Sequence, residues 1–184
     1  MSRKPTLVRG ARTYLRRPTL ADAAEYCTMI RESRALHRPW VYASSDPAAF
    51  RNYVRNASRD DYAGLLVCRR SDDAIAGVFN VSQMVRGGFQ SAYMGYYAAA
   101  AHARQGYMAE GLELVLRYVF QTLRLHRLEA NIQPGNTASI ELVRGAGFRL
   151  EGFSPRYLKI GGRWRDHQRW AIVADDWRAR RRGA

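Results

Sequence analysis

The chain has 184 residues, and its 30 Lys+Arg against 16 Asp+Glu give a formal charge of +14. Its 47% hydrophobic and 25% charged residues are those of an ordinary globular protein and exclude global disorder. No run of about 18 apolar residues exists, which excludes a membrane helix, and two cysteines, Cys27 and Cys68, are too few for a disulfide framework or a Cys-rich zinc site.

The length predicts one domain over residues 1–184, with a short basic segment at 1–12 and a basic, mobile tail at 178–184. Residues 13–17 read as a short strand stopped by Pro18. Asp22 sits in the first turn of a helix running to about Arg34, and Asp46-Pro47 opens a second helix that ends before Asp60. Residues 64–68, 75–84 and 91–98 are strand runs, with turns at Asp72-Asp73 and Gly87-Gly88. From Gly106 the period changes. Met108, Leu112, Val115, Val119 and Leu123 recur at spacings of three and four and predict a long helix. A strand at 128–132, a short helix at 137–146 closed by Gly147, and two strands at 148–160 and 164–173 joined by Gly161-Gly162 complete the order. Strands alternate with helices, and the middle three strands read as antiparallel. That is a mixed α/β sheet with helices on its faces.

Only Lys4 and Lys159 are lysines; the other 28 basic residues are arginines. Such an excess favours encounter with polyanions such as RNA, ribosomes or phosphorylated ligands, or reflects arginine-rich codon usage. The start Met1-Ser2-Arg3-Lys4 has no apolar secretory block, so a cytoplasmic protein is expected.

The informative junction lies between Tyr96 and Glu110. A strand ends, a small-residue loop follows, and a helix opens near Gly106. Free N–H groups and the positive dipole end of a helix attract phosphate, Gly106 permits close approach, and Arg104 adds charge. An ordinary strand-to-helix connection has the same composition. There is no Walker loop, no dinucleotide fingerprint and no nucleophile elbow. His37, His102, His126 and His167 are too scattered to suggest a metal site, and none is expected. Alternation puts Glu129, Asn131 and Gln133 on one strand face, with Ala130 and Ile132 on the other.

Five stretches carry a family resemblance. They are Gly106-Tyr-Met-Ala-Glu110, His126-Arg-Leu-Glu-Ala-Asn131, Pro134-Gly-Asn-Thr-Ala-Ser139, Gly145-Ala-Gly-Phe-Arg-Leu-Glu-Gly152 and Tyr157-Leu-Lys-Ile-Gly-Gly-Arg-Trp-Arg-Asp-His167. In this order the chain resembles the GNAT superfamily of N-acetyltransferases, and within it the RimJ-type ribosomal-protein-alanine N-acetyltransferases. The resemblance implies a GNAT fold: a mixed, mostly antiparallel sheet of six to seven strands flanked by helices. It also implies acetyl-CoA as cosubstrate and direct acetyl transfer in a ternary complex. The coenzyme's pantetheine arm would pair with the strand end at Tyr96, Tyr97 and Ala98. Its pyrophosphate would sit on backbone N–H groups of Arg104, Gln105, Gly106, Tyr107, Met108 and Ala109. Asn136 matches the family's asparagine near the coenzyme arm, and is equally a helix N-cap.

The family pattern Q/R-x-x-G-x-G/A falls on residues 103–108, so its first position is Ala103 and its last Met108. Backbone binding survives that change. The helix tyrosine that many relatives use as acid is Val143 here, and the glutamate of the RimL type is Leu158. Ser139 is then the candidate acid for the leaving thiolate, or a helix-surface serine. Glu129 is the candidate base, acting through water, or an ion-pair partner of Arg127 or a neighbouring arginine. Tyr157, Trp164 and Asp166 flank the Gly-Gly hairpin, either beside a peptide channel or as hairpin packing with an Arg165–Asp166 pair.

The expected function is acetylation of a protein N-terminal α-amine, on alanine of a ribosomal protein. The partners are acetyl-CoA, that N-terminus, and weak electrostatic contacts with ribosome or RNA, in a monomer or homodimer away from membranes. Two rivals stand beside it: the same fold acetylating a small amine such as an amino acid or antibiotic, and a catalytically idle RNA- or ribosome-binding module. An α-amine has a pKa of about 7.7–8.0, so roughly a tenth is neutral at pH 7, against about 0.04% of a lysine amine. A weak catalytic signature therefore suits the α-amine.

Overall fold

A computed structural model describes residues 5–57 and 59–183. Residues 1–4 of the basic segment, with the start Met1-Ser2-Arg3-Lys4, and Ala184 of the tail lie outside the described residues.

Eight strands form one sheet: β1 (Thr6–Arg9), β2 (Thr13–Arg16), β3 (Tyr62–Arg69), β4 (Ile75–Val85), β5 (Ser91–Ala98), β6 (Arg127–Ile132), β7 (Arg149–Ile160) and β8 (Arg163–Val173), in the spatial order β1-β2-β3-β4-β5-β6-β8-β7. This is the mixed, mostly antiparallel sheet that the resemblance implies, with one strand beyond the six to seven expected. The extra strand is β1, in the basic segment; only its Val8 is buried, so no alternation marked it in the sequence.

Six α-helices are present among the described residues: α1 (Ala23–Glu32), α2 (Arg34–His37), α3 (Pro47–Asn56), α4 (Tyr107–Arg117), α5 (Thr137–Gly145) and α6 (Ala174–Arg182). A π-turn at Tyr118–Thr122 prolongs α4. The segment expected as a loose tail is helical as far as Arg182. Trp177 anchors it: the indole is 2% exposed and meets Phe120 at 5.5 Å between ring centroids.

Strand alternation divides the core in two. Leu65, Val67, Phe79 and Val81 face α4, whose Leu112, Val115 and Leu116 are fully buried. Leu66, Cys68 and Val78 face the opposite way, onto Tyr26, Ile30 and Phe50 of α1 and α3. Each fully buried large aliphatic side chain contributes about 1.5–3 kcal/mol. One buried ion pair crosses into this second layer. Arg16 grips Asp22 with two hydrogen bonds of 2.7 and 2.8 Å, both side chains almost wholly buried.

All neighbouring strands are antiparallel except β5 and β6. A parallel pair needs a crossover, and α4 supplies it. The β5–β6 ladder covers only Ser91↔Arg127 to Tyr93↔Glu129. Beyond that β5 continues to Ala98 against β4, and β6 to Ile132 against β8. The sheet therefore splays between two of its central strands. Backbone N–H and C=O groups of alternate residues between 94 and 98 face the gap with no strand partner on that side.

Candidate active site

The splay opens into a cleft of about 790 Å³. Its floor is the free edge of β5. One wall is the start of α4; another is β6 with the N-terminus of α5. The far side is built by α2 with Trp40 and by the β7–β8 hairpin.

The loop before α4 folds as its residues require. Gly106 has φ +80° and Arg104 φ +59°, so two left-handed residues turn the chain into the helix. The first intrahelical bond is Glu110 N–H to the Gly106 carbonyl, and no side chain caps this end. The N–H groups of residues 107–109 consequently have no intrahelical acceptor, and these residues line the cleft. Arg12 braces the loop from behind, donating to the Gln105 carbonyl at 2.6 Å and stacking on Tyr107 at 4.6 Å. Glu110 ties α4 to β2 by accepting the N–H groups of Arg12 and Thr13 at 2.8 and 3.0 Å. Burial pushes its carboxyl up, but these hydrogen bonds outweigh that and hold it below the usual value.

The cleft gathers Tyr96, Tyr97, Ala98, Arg104, Gly106, Tyr107, Met108, Ala109, Asn136, Ser139 and Tyr157 from the sequence-derived candidates. It does not gather Gln105, Glu129, Trp164 or Asp166. The Gln105 side chain turns back to the Ala101 carbonyl at 3.2 Å. Glu129 accepts from Arg127 Nε at 3.0 Å, and Arg127 also grips Glu151. Trp164 is 61% exposed on the hairpin. Asp166 accepts the Arg156 N–H at 2.7 Å. Asn136 caps α5, its Oδ1 accepting the Ser139 N–H at 3.2 Å, and it faces the cleft as well.

Burial lifts the phenol of Tyr96 to about 12, partly offset by its hydrogen bond toward Ser139. Burial likewise lifts Tyr97, whose hydroxyl meets that of Tyr26 at 2.6 Å. Both stay protonated at neutral pH. Val143, where relatives carry a tyrosine, is fully buried in the core, whereas Leu158 lines the cleft.

Sequence reasoning missed several polar residues of the cleft as participants, among them His37, Asn131 and His167. These three come from α2, β6 and β8 and meet only through the fold. His37 is buried and donates from Nε2 to the Ala98 carbonyl at 2.8 Å. Asn131 Oδ1 is buried without a partner. The face alternation that singled out Asn131 was the available signal, but it pointed first to Glu129.

The model of the acetyltransferase (GNAT) domain matches residues 12–149. The chain belongs to the GNAT family of acetyltransferases. Members of this family are acyltransferases that use acetyl-CoA. A probable N-acetyltransferase of Bacillus subtilis (strain 168), YjcK, is 31% identical over 178 residues, covering 92% of this chain and 98% of its own. The [ribosomal protein uS5]-alanine N-acetyltransferase of Escherichia coli (strain K12) is 41% identical over 103 residues, covering 56% of this chain and 53% of its own. RimJ of Mycobacterium smegmatis, solved in complex with CoA-disulfide, superposes with a TM-score of 0.83 at 26% identity, covering 89% of this chain and 83% of that one.

The GNAT chemistry fits the residues present. Uncapped helix donors beside a left-handed glycine suit a diphosphate. The unpaired edge of β5 offers the donors and acceptors that an amide-rich arm needs. The orphan Oδ1 of Asn131 awaits an N–H.

Proposed function

We propose that this GNAT enzyme acetylates the α-amine of a protein N-terminus, the alanine of a ribosomal protein, by direct transfer in a ternary complex. The observation that carries the reading is the composition of the cleft. Among the described residues no Asp or Glu lines it. A polyamine or cationic antibiotic needs carboxylates to hold its several charges, and the chain's net charge of +14 repels it further. An α-amine needs none, because roughly a tenth of it is neutral at pH 7. The relative at 41% identity, named for alanine acetylation of ribosomal protein uS5, supports the same acceptor class.

When bound, acetyl-CoA supplies the thioester whose carbonyl the amine attacks. Backbone N–H groups of the Tyr107–Ala109 turn hold the diphosphate, and the free edge of β5 aligns the arm. Free N–H groups of that edge would stabilise the charge developing on the carbonyl oxygen. Ser139 stands at the start of α5 to donate a proton to the departing sulfur. A covalent relay through a thiol is disfavoured: Cys27 and Cys68 are buried in the α1–α3 layer, away from the cleft lining. Burial lifts the Cys68 thiol to about 11.

The test is acceptor length. The specificity constant, kcat/KM, is measured for a hexapeptide that starts with alanine and for alaninamide. A peptide acceptor is expected to be favoured about tenfold or more, a difference of about 1.4 kcal/mol in transition-state binding. Equal constants would assign the enzyme to small amines.

A further inference from the structure

We propose that His167 is the proton acceptor for the attacking amine. The proposal rests on the N-acetyltransferase chemistry of the family and stands whether the acceptor is a peptide or a small amine. With no carboxylate on the cleft lining and Glu129 held by Arg127, the groups there able to take a proton near neutrality are the imidazoles of His37, His102 and His167.

Hydrogen bonds fix each ring. His102 Nδ1 receives Arg69 Nη1 at 3.1 Å; a guanidinium only donates, so that lone pair is in use and Nε2 carries the hydrogen. His37 spends Nε2–H on the Ala98 carbonyl, beyond the β5–β6 ladder at the open end of the splay, and keeps its lone pair on Nδ1. His167 is the reverse of His102. Its Nδ1 lies 2.9 Å from the Arg165 carbonyl, and a carbonyl only accepts, so Nδ1 carries the hydrogen and Nε2 the lone pair. Nε2 has no protein partner among the described residues, and it is not among their sealed, unpartnered polar atoms. The ring itself is 3% exposed and lines the cleft, so Nε2 opens onto it.

The neighbours suit this role. Asn131 pairs with Arg169 across β6 and β8, which makes it the diagonal neighbour of His167 on one sheet face. The lone pair of His167 Nε2 is thus the open acceptor on this cleft wall, with the Asn131 Oδ1 sealed beside it. From β7, Tyr157 stands edge-on to the imidazole at 6.1 Å. Burial keeps the ring below the ordinary histidine value, opposed by the Arg165 carbonyl and by Asp166 on its own strand. The ring is therefore neutral, and able to accept, at pH 7. In the transfer the amine lone pair forms the N–C bond. The C–S bond breaks with its electron pair on sulfur. One N–H proton passes to Nε2, and the resulting imidazolium balances the thiolate until Ser139 or water returns the proton.

Two measurements test this. Nitrogen-15 spectra of the wild-type imidazoles are recorded from pH 5 to 8. His167 is expected as the Nδ1–H tautomer, titrating below about 6.5, with Nε2 shifting when an Ala-starting peptide is added and not when its N-acetylated form is. An Nε2–H tautomer, or no response to the free amine, overturns the proposal, and neither result depends on turnover. Second, the H167N variant keeps a donor for the Arg165 carbonyl but has no base. Its kcat is expected to fall about 10²-fold or more, with acetyl-CoA affinity by calorimetry within threefold of wild type. At pH values below the His167 titration seen in those spectra, the slope of log(kcat/KM) against pH is expected to drop from near two to one, the remaining limb being the amine. An unchanged slope, or its loss in H37N instead, overturns the assignment. If the Ala-starting peptide is not acetylated at all, the acceptor assignment fails while the tautomer result still decides the role of His167.

Discussion

Replacing Gly106 by alanine isolates the contribution of the loop backbone. Gly106 sits at φ +80°, where a side chain is strained by roughly 1–2 kcal/mol. The new methyl group would also stand 3.1 Å from Arg12 Nη2, the end of a flexible side chain that can give way, so the backbone strain dominates. For a chain of this size each kcal/mol lowers Tm by about 2–4 °C, which puts the expected fall at about 2–8 °C. Strain is relieved by turning φ negative, and that swings the N–H groups of residues 107–109 off the cleft. Loss of 1–2 kcal/mol of binding corresponds to a rise of about five- to thirtyfold in the CoA dissociation constant. Titration calorimetry with CoA reads this directly. Gly88→Ala is the control: it has open space and no positive φ, and should change stability by less than about 0.5 kcal/mol. If Gly106→Ala lowers Tm in the expected range yet CoA affinity stays within twofold, the loop backbone does not hold the coenzyme.

Three more outcomes follow from the same geometry. Glu110 has a folded-state pKa below its unfolded value, so its stabilisation is complete above about pH 4.3 and is lost as pH falls through the depressed value. The Tm gap between wild type and E110Q should be flat from pH 7 to 5 and close under more acidic conditions; a gap that widens on acidification would contradict the sign. Asp22→Ala leaves the Arg16 guanidinium buried without its bidentate partner and should cost about 3–5 kcal/mol in urea unfolding; a loss under 1 kcal/mol would mean that water reaches Arg16. Asn136→Ala removes the α5 cap and should cost about 1 kcal/mol, and CoA affinity measured on the same variant separates a cap from a coenzyme contact.

The strands from β3 to β8 were legible because each alternates or is bounded by turn residues, and the Gly161-Gly162 and Gly87-Gly88 turns fall where those residues predict. The apolar stripe Leu112, Val115 and Leu116 marked α4 for the same reason, every one of them fully buried. The strand β1 and helix α6 were not legible. They rest on few anchors, Val8 in β1 and Trp177 with Ala174 in α6, and the rest of each is mostly exposed. In the site, the loop at Gly106 could be read locally because a left-handed glycine before a helix has a sequence signature. Residues His37, Asn131 and His167 could not. Each is unremarkable in its own element, and only the fold brings the three to one cleft. Glu129 shows the converse: the right face of the right strand, yet its carboxylate is held by Arg127.

The most direct test of the account uses acetyl-CoA and two peptides, read by mass spectrometry. One peptide starts with a free alanine and has no lysine; the other has a blocked N-terminus and one internal lysine. The account predicts a gain of one acetyl group on the first and none on the second. Acetylation of the lysine peptide alone would contradict it.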